Sequence, residues 1–332
     1  MRSVDISLKD FVRIKNEQKL LFTAGPASLL TENIVGLQPC FGRGDSDYLT
    51  LETEVLDRLK NLSGHKNVAR LQGSASLALE ILALNFLEGD VLIVSTGYYS
   101  DRLQSLSESA SRRVGAIRSV SAVSWQELSS ITGKYDWIWA CPTETSCGIK
   151  VPISDLRRTA DAVGAKLMLD ATASIGLEPD HDLADALAYS SCKGLFGLTG
   201  ASFVAFNEHP VNEIDSFYLN LQSHVERRMT GPYHAIASLA EVLPRHNYFR
   251  EAVVINKERF VRDMSKWLTV SPANQPLLCT HVSCSIVADD RRAILYKPRT
   301  ALGGSVVCHL GEAHLGAEAT GAIQDILRVA EE

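Results

Sequence analysis

The sequence predicts an α/β protein in which helices cover both faces of a large, mainly parallel sheet. Two observations predict it: short apolar runs alternate with segments of helical periodicity, and the runs carry few polar residues. A strand that is covered on both faces needs apolar side chains on both sides, which is typical of parallel sheets. The predicted strands are Val91–Ser95, Trp137–Cys141, Lys166–Leu169 and Ser202–Phe206, and the predicted helices between them are Ala75–Asn85, Asp101–Ala110 and Ile153–Ala162.

A different pattern begins after roughly residue 235, where prolines separate short strand-like segments. We predict helices at Ala235–Leu243, Phe249–Trp267 and Ala317–Glu331, with short strands within HVSCSIVA, RAILYK and SVVCHL. The predicted organisation is a large α/β domain over residues 20–240 and a small α+β domain over residues 241–332. Residues 1–19 could pack on the small domain.

Composition excludes several classes of function. The chain has 332 residues, of which 45% are hydrophobic, and a formal net charge of -6, which argues against a nucleic-acid partner. Its seven cysteines show no CxxC spacing, so we expect reduced thiols, no metal site and a cytoplasmic location. The polar N-terminus and the lack of a long apolar window predict neither a signal peptide nor a membrane partner.

Small and polar residues cluster where predicted strands end, which is where ligands bind in parallel sheets. The segment Gln72–Ser76 precedes a helix and could hold a phosphate, although a simple helix cap is the better explanation of the segment alone. Asp170 could bond a protonated pyridine nitrogen or cap a turn. Lys193 lies among small residues before a strand and could be a reactive amine, although an exposed lysine is the simpler explanation. Either tyrosine of the pair Tyr98–Tyr99 could stack on an aromatic ligand or pack in the core.

The serial order of these features is more informative than each feature alone. A phosphate-type loop, an aromatic residue, a threonine-rich strand end, an aspartate and a lysine follow one another. In that order the chain resembles the class V aminotransferases, which have the type I fold of pyridoxal-phosphate (PLP) enzymes. Within that class it looks most similar to 2-aminoethylphosphonate–pyruvate transaminases, with alanine–glyoxylate and serine–glyoxylate transaminases as relatives. The matching segments are LFTAGPASLL at 21–30, LQGSASLALE at 71–80, VLIVSTGYYSDRL at 91–103, PTETSCG at 142–148, LDATASIG at 169–176, SSCKG at 190–194 and, more weakly, MTGPYHA at 229–235.

The resemblance implies a site for pyridoxal 5'-phosphate. Lys193 would carry the cofactor as a Schiff base and shuttle a proton during catalysis, and Asp170 would pair with the pyridine nitrogen. Tyr99 and Thr172 would cover the two faces of the ring. The remaining implied cofactor contacts are Ser74, Ala75, Ser76, Thr145, Ser190, Cys192, Thr230 and Tyr233. The last two would reach the phosphate in a neighbouring subunit, which implies a homodimer with shared active sites.

Two positions depart from the family pattern. Cys192 stands where relatives have Gln or Asn, which weakens one expected phosphate contact. Val306 stands where relatives have the arginine that binds the substrate carboxylate, and a valine cannot bind an anion. Arg43, Arg299 and His309 are the candidate replacements.

The leading hypothesis is an aminotransferase that moves an amino group between a small amine or amino acid, with an aminophosphonate possible, and a 2-oxo acid. Because the expected arginine is missing, a PLP-dependent lyase or another specialised enzyme on the same fold is the alternative. A catalytically weak cofactor-binding relative is a third reading, which the intact pair of Asp170 and Lys193 disfavours.

Overall fold

The computed structural model describes residues 6–38, 41–42 and 44–331. Its helices are α1 Leu8–Glu17, α2 Thr31–Val35, α3 Ser46–Ser63, α4 Ala75–Phe86, α5 Tyr98–Val114, α6 Ile153–Val163, α7 Leu221–Val225, α8 Tyr233–Val242 and α9 His246–Asp263. Its strands are β1 Leu20–Phe22, β2 Asn67–Gln72, β3 Gly89–Ser95, β4 Ile117–Ser124, β5 Trp137–Ala140, β6 Thr143–Glu144, β7 Ile149–Lys150, β8 Lys166–Asp170, β9 Ala186–Ser190, β10 Ala201–Phe206, β11 Cys279–Val282, β12 Ile286–Ala288, β13 Ala293–Leu295, β14 Ser305–Cys308 and β15 Leu327–Val329.

A seven-stranded sheet forms the centre of the structure, in the order β2-β10-β9-β8-β5-β3-β4. Only β10 runs antiparallel to its neighbours, β2 and β9, among these strands. The predicted fold class is therefore confirmed. The carboxyl ends of the other six strands share one edge of the sheet, and the segment between β9 and β10 crosses the same edge.

Successive side chains of the central strands enter two different cores. In β5, Trp137 and Trp139 pack with α4 and α5, while Ile138 packs with α3, α6 and α8 on the opposite face. This alternation follows from the two-residue period of a strand. It explains why the apolar runs are continuous, because both faces of the sheet are covered.

The central strands β2, β4 and β9 were not predicted, although the four predicted strands are all present. The sequence of β2 contains Arg70, which pattern reasoning treats as a surface residue. In the structure Arg70 is buried and its Nε donates to Oε1 of Glu52 over 2.8 Å. A paired charge of this kind is recognisable only when the partner, 18 residues earlier in the chain, is known.

The prediction of a helix at Ala317–Glu331 was wrong. The segment forms 3-10 turns at Leu310–Glu318 and Ala322–Ile326, and then β15, which pairs antiparallel with β12. Gly316 and Gly321 adopt φ values of 55° and 69°. These left-handed conformations interrupt a right-handed helix.

The N-terminal strand β1 also contacts this C-terminal part, because it pairs in parallel with β13. The division into domains at residue 240 remains a prediction. Among the described residues, no helix has the length and apolar character needed to cross a bilayer.

Candidate active site

One cavity lies at the shared carboxyl edge of the central sheet, with a volume of about 450 Å³. Ten of the twelve residues predicted to bind the cofactor line it, together with Arg299. The ten residues are Ser74, Ala75, Ser76, Tyr99, Thr145, Asp170, Thr172, Ser190, Cys192 and Lys193. The cavity therefore brings together five segments that are separated by up to 119 positions in the chain.

The N-terminus of α4 forms one end of the cavity. Ser74 is its N-cap residue, with an extended backbone, and its hydroxyl makes no capping hydrogen bond within the described chain. The first turn of a helix has backbone N–H groups without intrahelical acceptors, and these favour an anion. Ser74, Ala75 and Ser76 thus form a suitable cradle for a phosphate.

Asp170 ends β8 and its carboxylate is only 2% exposed. Oδ1 accepts a hydrogen bond from the backbone N–H of Thr172 over 3.1 Å. Oδ2 accepts one from Nη2 of Arg102 over 3.2 Å. The carboxylate is therefore buried, oriented and paired with a cation, as a buried charge must be.

Tyr99 is positioned by the start of α5. The helix begins at Tyr98, three residues before the predicted start, so Tyr99 lies in its first turn rather than in a loop. The buried Glu144 caps this turn, because its Oε2 accepts from the backbone N–H of Tyr99 over 2.9 Å and of Ser100 over 3.3 Å. Burial raises the pKa of Glu144, and hydrogen bonds from Ser146 and the helix N–H groups counteract the shift.

Lys193 is held from two sides. Its Nζ lies 5.8 Å from the centre of the Tyr99 ring. A β-carbon added to Gly25 would lie 2.9 Å from Cγ of Lys193, so the glycine allows close contact between the two segments. The backbone N–H of Ala27 donates to the carbonyl of Cys192 over 2.9 Å, which fixes this contact.

His246 supports the segment after the lysine. Its Nε2 lies 2.7 Å from the carbonyl oxygen of Gly194. Burial lowers the pKa of His246, so the neutral ring is favoured and Nε2–H is the donor. Lys193 thus belongs to a loop that is braced by the sheet, by the segment at Gly25 and by α9.

Several buried polar atoms around the cavity have no hydrogen-bond partner within the described chain: Oγ1 of Thr143, Thr145 and Thr172, and Nε of Arg102. Thr143 and Thr145 are both 1% exposed. A buried donor without an acceptor is costly. The atoms fit a ligand that carries acceptor oxygens, as PLP does with its phosphate and phenolic oxygen.

The other predicted site residues lie elsewhere. Thr230 is exposed and Tyr233 packs on Tyr48, with ring centres 4.5 Å apart. His309 is buried away from the cavity with Nε2 at 2.9 Å from Oγ1 of Thr280, and burial lowers its pKa well below the usual value. A neutral, enclosed histidine does not fit the role of a substrate-binding cation. Arg43 lies outside the described residues.

Val306 is buried on β14 within an apolar cluster. The charged residue at the cavity mouth is instead Arg299, whose Nη1 lies 3.4 Å from the hydroxyl of Tyr98. Its guanidinium also lies 5.5 Å from the centre of the Tyr98 ring. Arg299 is exposed, so an incoming anion can reach it.

Sequence reasoning missed Arg102, Glu144 and Gly25. The signal for Arg102 was present, because residues three apart on a helix share a face and Tyr99 precedes it by three positions. The misplaced start of α5 hid that relation. Glu144 and Gly25 act on residues that are distant in the chain, and no local pattern identifies them.

The contact between Gly25 and Lys193 yields a first prediction. We expect Gly25→Ala to weaken uptake of added PLP, since the new methyl group displaces the lysine side chain. Gly115→Ala is the matched control: Gly115 also has a positive φ, of 73°, but no atom lies within 4 Å of the added carbon. Absorbance titration with PLP measures uptake. Equal uptake by both variants would contradict the prediction.

Comparisons with known proteins agree with this geometry. No family model matches the chain. The chain is 28% identical over 251 residues to a 2-aminoethylphosphonate–pyruvate transaminase of Pseudomonas aeruginosa, with 68% of each chain covered. Among solved structures, an aspartate aminotransferase from Thermus thermophilus superposes with a TM-score of 0.76 at 19% identity and covers 92% of this chain and 99% of its own. An alanine–glyoxylate aminotransferase from Nostoc sp. superposes with a TM-score of 0.74 at 18% identity and covers 93% of both chains.

The structural likeness, at this low identity, concerns the fold. The sequence likeness covers two thirds of the chain, and it points to the same transaminases that the motifs indicated. Both expectations from the sequence are thus confirmed: the chain has the type I fold of the aminotransferases on which it superposes, and it resembles class V aminotransferases, with 2-aminoethylphosphonate–pyruvate transaminases among its similar proteins.

Proposed function

We propose that the chain is a PLP-dependent aminotransferase that moves an amino group between a small amine or amino acid and a 2-oxo acid. One observation carries the proposal: the amine of Lys193, the buried carboxylate of Asp170, the ring of Tyr99 and the N-terminus of α4 line a single cavity. The named relatives support amino transfer.

Bound PLP supplies an aldehyde that condenses with amines and a protonated pyridine ring that withdraws electrons. In this chain the phosphate would be held by Ser74, Ala75 and Ser76. The carboxylate of Asp170, which lines the cavity, would accept the N–H of the ring. Tyr99 and Thr172 would enclose the ring from its two faces, and the unpaired hydroxyl of Thr145 would donate to an oxygen of the cofactor. Ser190 and Cys192 complete the predicted cofactor contacts.

Lys193 has two tasks in this proposal. Its Nζ would be the attachment point of the cofactor, and as a free amine it would hold and return a proton at the reacting carbon. The loop that carries it is fixed by a backbone hydrogen bond from Ala27 before the lysine and by the side chain of His246 after it. Such fixation keeps a general base within reach of its proton.

The substrate is proposed to be anionic, with Arg299 as its partner. Relatives are named for a phosphonate donor, and Val306 removes the usual carboxylate-binding arginine. Arg299 and the hydroxyl of Tyr98 together offer donors to a phosphonate or carboxylate at the cavity mouth. The lyase alternative remains a hypothesis, and no feature of the described residues favours it over amino transfer.

A homodimer is the proposed assembly. Exposed Thr230, and Tyr233 beside it, could then reach the cofactor phosphate of a neighbouring subunit. The segment before them exposes large apolar side chains, with Phe217 60% and Tyr218 44% accessible. Exposed apolar clusters of this kind are typical of protein interfaces. A cytoplasmic location stays a prediction from cysteine usage.

The central test is the colour of the purified protein. We expect absorbance in the near-ultraviolet to violet range and its loss in Lys193→Ala, because the variant has no amine to hold the cofactor aldehyde. Lys166→Ala is the control, since Lys166 is an exposed lysine paired with Glu208. A protein that stays colourless after PLP is added would overturn the proposed function.

A second test addresses the substrate anion. With 2-aminoethylphosphonate as donor and pyruvate as acceptor, we expect Arg299→Gln to raise KM for the donor about tenfold, the effect of losing one charge-assisted hydrogen bond, with a smaller change in kcat. Arg291→Gln, at an exposed position eight residues earlier, should leave KM unchanged. Equal KM values for the wild type and both variants would contradict a role of Arg299 in binding the donor.

A third test addresses assembly. Size-exclusion chromatography coupled to light scattering should give a molar mass twice that of one chain. Phe217→Asp should reduce that mass toward the monomer, because it places a charge in an apolar contact. Val35→Asp is a control at another exposed apolar position, on α2. A wild-type monomer at micromolar concentration would contradict the proposed dimer.

A further inference from the structure

Arg102 connects the two ends of the cavity. It lies on α5 one turn after Tyr99, and its guanidinium carbon is 5.0 Å from the centre of the Tyr99 ring. Nη2 donates to Oδ2 of Asp170 over 3.2 Å, and Nη1 donates to Oγ of Ser76 over 3.1 Å. One side chain thus joins the residue placed for the ring nitrogen to a residue placed for the phosphate.

The carboxylate of Asp170 depends on this contact for its charge balance. It is almost fully buried, and within the described residues its partners are Arg102 and the backbone N–H of Thr172. Each partner takes a different oxygen. A carboxylate has about four acceptor directions, so two bonds leave room for a ring N–H while fixing the plane of the group.

We propose that Arg102 is a positioning residue, which holds the Asp170 carboxylate and the first turn of α4 at the separation that the cofactor requires between its ring nitrogen and its phosphate. The inference rests on the proposed function. It assigns the arginine no contact with substrate and no proton transfer. Its effect on chemistry acts through the orientation of Asp170.

The fork of the guanidinium explains why an arginine stands here. Two nitrogens of one planar group can serve acceptors on α4 and on β8 at the same time, whereas the single ammonium of a lysine cannot span both. Stacking on the Tyr99 ring restricts the plane of the guanidinium. The start of α5, from which Arg102 extends, is itself fixed by Glu144.

The same two helices carry a matched comparison. Arg113 of α5 pairs with Glu80 of α4 over 2.8 Å, but both side chains are about 40% exposed and lie outside the cavity. A general role in joining α5 to α4 would therefore be shared by Arg113. A role in orienting the cofactor would belong to Arg102 and not to Arg113.

The test is a double-mutant cycle read out as PLP affinity, on full-length Arg102→Met, Asp170→Asn, the double variant and Arg113→Met. We expect Arg102→Met and Asp170→Asn each to weaken PLP binding about tenfold or more. The dissociation constant of the double variant should lie within about threefold of that of the single variant that binds PLP more weakly. Arg113→Met should bind as the wild type does. Arg102→Lys should be intermediate, because it keeps the charge and one of the two contacts.

A second readout separates orientation from stability. The pH midpoint of the bound-cofactor absorbance should move in Arg102→Met and Arg102→Lys but not in Arg113→Met, even where thermal unfolding temperatures agree. If Arg102→Met does not fold, the lysine variant provides both measurements. A change of less than twofold in the PLP affinity of Arg102→Met would overturn the inference, and so would effects of the two single variants that multiply in the double variant. The proposed function would stay intact in both cases as long as the wild-type protein is coloured. A wild-type protein that never binds PLP would overturn both.

Discussion

Parallel pairing of the central strands is the constraint on which the rest of the structure depends. Because β2, β9, β8, β5 and β3 all run in one direction, their carboxyl ends meet at one edge. Each strand end there contributes a polar or small side chain to the cavity. Such a sheet is covered on both faces, so its apolar side chains form two cores that hold this edge rigid.

The pairing of buried charges then determines which polar residues lie at this edge of the sheet. The buried carboxylate of Asp170 needs a cation, and Arg102 supplies it from α5. The start of α5 needs acceptors, and the buried Glu144 supplies them from β6. The carboxylates of Asp170 and Glu144 are thus each bonded to groups that have their own role at the cavity. Around the cavity, the hydroxyls of Thr143, Thr145 and Thr172 have no partner within the described chain, and a ligand with acceptor oxygens would satisfy them.

The residues proposed to bind the substrate differ from those proposed to bind the cofactor in their burial and in how firmly they are held. Of the proposed cofactor residues, Asp170 and Thr145 are buried and Lys193 lies on a braced loop, whereas Arg299 is exposed and donates a hydrogen bond to Tyr98. A rigid cofactor cradle with an accessible cation at its mouth suits an enzyme that exchanges two anionic substrates in turn. The buried Val306 and the neutral His309 leave Arg299 as the candidate cation within the described chain.

The sequence by itself determined the fold class and four of the seven central strands, and it predicted cofactor residues of which ten line the cavity, because apolar runs, strand-end motifs and their order are visible along the chain. Its resemblance to the family also predicted that Val306 stands at the position of the usual arginine. Tertiary structure decided the rest: that β2, β4 and β9 are strands, that the segment from Ala317 is not a helix, and that Arg102, Glu144 and Gly25 support the site. These outcomes depend on partners far away in sequence, such as Glu52 for Arg70 and Lys193 for Gly25. A residue whose role is defined by its contact with a distant segment carries no local pattern, so only the folded chain reveals it.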